Sequence, residues 1–124
     1  MNFTDLSDCE LHVMKCLWDE GTPLSVTSLL ERIEANYGKV YKETTVYTFL
    51  KRMRDKGYVT SYKKGTSYFS PLITEEEYLN DYSRKMAEFL GKNSSRTFLS
   101  AFFKHQNYTE EEWEDIRSLR DELE

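Results

Sequence analysis

The chain has 124 residues, 39% hydrophobic and 15% aromatic, with 17 basic against 22 acidic side chains and a formal net charge of −5. That length suits one domain, or a compact unit with a smaller appendage, and the apolar content argues against disorder. No run of about 18 apolar residues is present, so no transmembrane helix is expected; the opening Met-Asn-Phe-Thr-Asp-Leu lacks the basic and apolar stretches of a signal peptide, so a cytoplasmic protein is expected.

A first helix is predicted from Ser7, where Ser7 and Glu10 have capping-box spacing and Leu6 precedes Leu11 as a hydrophobic staple. Leu11, Val13, Met14, Leu17 and Trp18 recur at helical spacing, and Gly21 and Pro23 end the run. Ser25 is placed to cap a second helix, with Val26, Leu29, Leu30 and Ile33 on its apolar side and Tyr37-Gly38 closing it. A third helix is expected from about 42 to 56, stopped by Gly57. Its core stripe is Val46, Phe49, Leu50 and Met53; its other face carries Lys42, Thr44, Thr45, Tyr47, Thr48, Lys51 and Arg52. The period then becomes extended. Residues 58–63 and 66–70 are rich in aromatic and β-branched types, with Lys64-Gly65 as the turn between them and Pro71 as the end.

The remainder reads as helical. Thr74 and Glu77 form a second capping box, with Ile73 placed to staple onto Tyr78, opening a helix that runs to about Leu90 before Gly91. Asn93 or Ser94 is expected to cap a short helix through Phe98, Leu99, Phe102 and Phe103. Thr109 and Glu112 form a third box, and the last helix presents Trp113, Ile116, Leu119, Arg120 and Leu123. The fold class expected is therefore mainly α with a small β-hairpin wing: a winged helix-turn-helix DNA-binding domain over 1–73, then a helical dimerisation domain over 74–124. The dimerisation residues expected are Tyr78, Tyr82, Met86, Phe89, Phe98, Phe102, Trp113, Ile116 and Leu119. Three short helices cannot bury that set alone, and a second copy would cover it.

Charge is distributed unevenly. Residues 1–73 carry a net +1 and residues 74–124 a net −6. Within 39–64, eight basic residues face only Glu43 and Asp55. A local basic patch matters more for phosphate binding than the global sum. The DNA major groove admits one α-helix, which needs one face anchored in the protein and one bearing donors. The third helix has that division. Its threonines suit bases or phosphates, and Lys51 and Arg52 lie where such a helix meets the backbone. Lys63 and Lys64 at the wing tip suit flanking phosphate, contributing affinity without sequence choice.

Cys9 and Cys16 lie seven apart on one helix, so their Cα atoms are roughly 10 Å apart, too far for a disulfide; buried thiols are expected. His12 is near in sequence but has no second cluster, so neither metal nor cofactor is expected. No nucleophilic triad or phosphate-cradling loop is present, so an enzyme is not expected. The acidic runs at 75–77 and 110–112 suit first helical turns better than catalysis.

Three stretches carry a resemblance: Leu6-Ser7-Asp8-Cys9-Glu10 with Val13-Met14-Lys15-Cys16-Leu17-Trp18, the run Thr44-Thr45-Val46-Tyr47-Thr48-Phe49-Leu50-Lys51-Arg52-Met53, and Asp55-Lys56-Gly57-Tyr58-Val59. Over essentially its whole length the chain resembles the penicillinase repressor family of bacterial winged-helix regulators. The resemblance implies a homodimer on a palindromic DNA operator that blocks transcription. It puts base contacts on Thr45 and Tyr47 and a phosphate contact on Thr48. Many relatives have Arg or Lys where Tyr47 stands, which implies a different operator. Repressors of the penicillinase branch are inactivated by proteolysis in the tail, triggered by a membrane-bound zinc metalloprotease sensor when β-lactam acylates it. The equivalent bond here is Ala101-Phe102, with alanine in place of the usual asparagine. The copper-responsive branch carries paired Cys-x-Cys motifs near its C-terminus; this chain has no cysteine after Cys16, so copper sensing is not implied. The competing reading is a winged-helix module for protein contact without DNA.

Overall fold

A computed structural model describes residues 5–124. Ser7 caps α1 (Asp8–Glu20): its hydroxyl accepts from the Glu10 N–H at 3.2 Å, and Glu10 Oε1 accepts from the Ser7 N–H at 3.0 Å. Two donors left over at the helix start are thereby satisfied. After β1 (Leu24–Ser25), Ser25 caps α2 (Val26–Tyr37) by accepting from the Ser28 N–H at 3.3 Å. Residues 38–42 connect to α3 (Glu43–Asp55), which leads into β2 (Val59–Lys64) and β3 (Thr66–Pro71). Gly57 lies between α3 and β2 at φ +87°. No atom crowds the place a Cβ would take there, so what selects glycine is the left-handed backbone.

The sheet is antiparallel in the order β1-β3-β2. Its third strand, β1, is an addition to the expected hairpin: Leu24 pairs with Phe69 and Ser25 with Tyr68. Two residues carry no readable period, so only the pairing reveals it. The turn is also tighter than expected. Lys64 pairs with Thr66, leaving Gly65 alone to reverse the chain at φ +76°.

One core unites these elements. Val13, Met14 and Leu17 of α1 meet Leu29 and Ile33 of α2, Val46, Leu50 and Met53 of α3, and Val59 and Phe69 of the sheet. The start of α4 (Glu75–Leu90) joins them. Trp18 Nε1 donates to the Ile73 carbonyl at 2.9 Å, Lys15 pairs with Glu75 at 2.6 Å, and the Tyr78 ring lies 5.4 Å from that of Trp18. Tyr78 is only 6% exposed. Trp18 of α1 packs against its ring within the same chain, whereas the sequence reading expected Tyr78 on a dimer face. Tyr82 stacks on Tyr78 at 6.2 Å and is half-buried.

The chain divides into two compact units, one ending at Met86 and the other running Ala87–Glu124. The second holds the end of α4, a 3-10 turn (Lys92–Ser94), α5 (Ser95–Lys104), α6 (Glu110–Arg117) and α7 (Leu119–Leu123). Two local expectations are corrected here. Ser94 occupies the cap position of α5 but makes no side-chain cap bond, being itself helical at φ −93°, ψ −2°. The single last helix breaks at Ser118, whose hydroxyl donates to the Asp115 carbonyl at 2.6 Å, a back-bond that bends helices. The Thr109–Glu112 capping box forms, with bonds of 2.8 and 3.1 Å. Phe103 sits among Phe102, Tyr108 and Trp113 at ring distances of 5.5, 5.8 and 5.6 Å. Yet no side chain over residues 87–124 is buried.

Candidate nucleic-acid interface

Burial of Val46, Leu50 and Met53 fixes the rotation of α3 and turns its opposite face outward. Thr44, Tyr47, Thr48 and Lys51 share that outward face, and all are exposed. Thr45, half-buried, and Arg52, exposed, lie along one flank. Lys42 stands at the cap position, exposed and without a capping bond of its own. The expected residues of α3 therefore form one continuous strip.

Two of them are held in specific ways. Thr48 Oγ1 donates to the Thr44 carbonyl at 3.0 Å, so its hydroxyl must rotate away from the helix to donate to a phosphate. The Tyr47 ring meets Phe69 edge-on at 6.3 Å. Phe69 is buried in the base of the wing, which gives Tyr47 a rigid backing.

Strand alternation separates the two wing lysines. Lys63 shares a face with Val59 and Ser61, whereas Lys64 shares the other with Tyr62. Both lysines are exposed. Tyr62 stacks on its cross-strand partner Tyr68 at 5.5 Å.

The structure also sorts the basic residues that the sequence counts alike. Lys56 is tied down: it pairs with buried Glu10 at 3.4 Å and donates to the Asp5 carbonyl. Beside it, the Tyr58 hydroxyl donates to Asp5 Oδ1 at 2.6 Å. That bond holds the Asp5 carboxyl below the usual range, while burial and the same carboxylate push the Tyr58 hydroxyl up. Lys39, Lys42, Lys51, Arg52, Lys63 and Lys64 form no ion pair among the described residues. Arg54, which sequence reasoning counted in the patch without a role, is exposed and donates from Nη1 to Ser61 Oγ at 3.2 Å. Its only sequence signal is basicity; the contact needs the α3–β2 packing to be seen.

Cys16 is buried and Cys9 half-buried, and both thiols are free. Burial pushes the Cys16 thiol up, and Cys9 Sγ lies 2.8 Å from the Tyr41 hydroxyl. Among the described residues no three His, Cys, Asp or Glu side chains converge as a metal site. No helix among them is long and apolar enough to cross a membrane.

The penicillinase repressor family matches residues 6–122 of this sequence. The solution structure of the DNA binding domain of the repressor BlaI is similar at 26% identity and a TM-score of 0.50, covering 62% of this chain and 92% of that one. The hsRosR-S1 complex structure is similar at 16% identity and a TM-score of 0.54, covering 85% and 95%. The hsRosR-S4 complex structure gives 16%, 0.54, 83% and 90%. At that identity these two speak for the fold alone. No curated protein matches the sequence significantly.

Proposed function

Because the chain belongs to the penicillinase repressor family, we propose that it is a sequence-specific transcriptional repressor, acting as a homodimer on a two-fold-symmetric DNA operator in the cytoplasm. The observation that carries this reading is the exposed strip of α3, backed by a rigid core and bearing hydroxyl donors and cations that form no ion pair among the described residues. In the groove, Thr45 and Tyr47 read base edges, with the Tyr47 ring against Phe69 set to touch a thymine methyl or donate one hydrogen bond. Lys42, Thr44, Thr48, Lys51 and Arg52 meet phosphates and fix the register. Residues 1–73 thus bind DNA and residues 74–124 pair the subunits.

The second unit, Ala87–Glu124, is the proposed pairing element. Phe98, Leu99, Phe102, Leu119 and Leu123 are 37% to 84% exposed, and Trp113 and Ile116 are half-buried. A unit under about 40 residues rarely holds a core by itself. A second copy of the same surface supplies the missing cover, with Met86 and Phe89 of α4 as further candidates, and sets two recognition helices a helical turn of DNA or a multiple apart.

Relief of repression follows from the same unit. Ala101 and Phe102 are exposed within α5, which lacks a side-chain cap and any buried residue, so α5 opens locally at low cost. Cleavage at Ala101–Phe102 by a membrane-bound metalloprotease sensor would remove Phe102 and all that follows. A β-lactam signal is the corresponding input.

A protection footprint on the gene's own promoter tests the reading. A protected site with two-fold symmetry is expected; its absence would count against repression by a dimer. The wing makes a separate prediction. Lys63→Ala/Lys64→Ala is expected to weaken binding to operator and random duplex alike, with the salt slope reduced by roughly two for two lost phosphate contacts. A loss confined to one base position, measured on an operator substitution series, would contradict it.

A further inference from the structure

We propose that Arg54 is an additional phosphate ligand, gripping the DNA backbone at the notch between α3 and the wing. This rests on the DNA-binding reading above. Arg54 lies two helical turns beyond Tyr47 on the same flank of α3. The two side chains meet one rung of the sheet: Tyr47 packs on Phe69, Arg54 donates to Ser61, and Ser61 and Phe69 are cross-strand partners. That rung joins helix and wing, so a group held on it keeps its place relative to both. Lys63 stands two residues beyond Ser61 on the same strand face, roughly 7 Å further toward the tip. Arg54 and Lys63 therefore line one path from the recognition helix to the wing tip.

The bond that holds Arg54 leaves its charge free. Ser61 is neutral and occupies one of five guanidinium N–H donors. Among the described residues no carboxylate pairs with Arg54. A guanidinium already steered by a hydroxyl loses less freedom when it meets a phosphate, and its fork matches phosphate oxygens. A tie that merely braced helix to sheet would change stability and leave the counterion count of DNA binding untouched.

The test is fluorescence anisotropy of the full-length protein on a random-sequence duplex across a KCl series, with thermal unfolding as a folding control. Arg54→Gln is expected to lower the salt slope by about 0.9, equivalent to roughly eightfold weaker binding near 0.1 M salt. Arg54→Lys keeps the slope, since the charge stays, but binds a few-fold more weakly. Ser61→Ala also keeps the slope and loses a few-fold in affinity. Arg54→Gln with the slope and affinity of the unaltered protein would overturn the clamp alone. No salt-dependent binding by the unaltered protein would overturn both the clamp and the DNA-binding reading.

Discussion

Phe102→Asp is expected to leave the protein monomeric and its operator affinity lower by about 10² to 10⁴. The ring is 53% exposed in a single chain, stacked on Phe98 at 6.1 Å and edge-on to Phe103 at 5.5 Å. A carboxylate there must stay hydrated, which an apolar subunit contact does not allow without a large cost. In the proposed dimer, parting the subunits would leave each head to bind its half-site without the effective concentration that a tethered partner supplies, and a loss of that size would follow. The winged-helix core belongs to the other compact unit, so head folding is expected to persist. Sedimentation equilibrium and operator titration read the two effects together. A dimer of unchanged affinity would remove α5 from the interface. Under the proposed dimer, cleavage at Ala101–Phe102 would release DNA in the same way, by removing Phe102 and the apolar surface that follows it.

The second large effect lies in the head. Leu50→Ala is expected to destabilise it by about 2–5 kcal/mol, because a fully enclosed leucine leaves a cavity that the surroundings fill only in part. Leu50 is 1% exposed and shares its core with Leu17, Ile33 and Met53. For a unit of this size the midpoint of thermal unfolding falls by on the order of 10 to 30 °C. Differential scanning calorimetry measures it, and a shift under about 3 °C would contradict the packing described for α3. DNA binding should fall in parallel, since the outward strip of α3 is aimed only by what its inner face grips.

Local chemistry made most of this legible. The Ser7–Glu10 and Thr109–Glu112 boxes announce two helix starts because both partners lie within four residues. The α3 stripe of Val46, Leu50 and Met53 states which face is inside, and hence which faces out. What stayed hidden depends on contacts between distant residues. β1 exists only through its pairing with β3. The loss of Lys56 to Glu10 joins positions 46 apart, and the Arg54–Ser61 bond needs α3 laid against the hairpin. Tyr78 looked like one more apolar side chain of the tail until α1 and Trp18 took it up. The break at Ser118 turns on a single hydroxyl choosing a backbone carbonyl.

The proposed function places the outward strip of α3 against duplex DNA. It is tested most directly by neutralising the two cations on that strip, Lys51→Gln/Arg52→Gln, and measuring affinity for a duplex across a salt series. Both side chains are exposed and unpaired among the described residues, so folding should be unaffected. A salt slope reduced by about 1.8, with binding weakened roughly 60-fold near 0.1 M salt, is the result predicted. A variant that binds DNA with unchanged slope and affinity would contradict it.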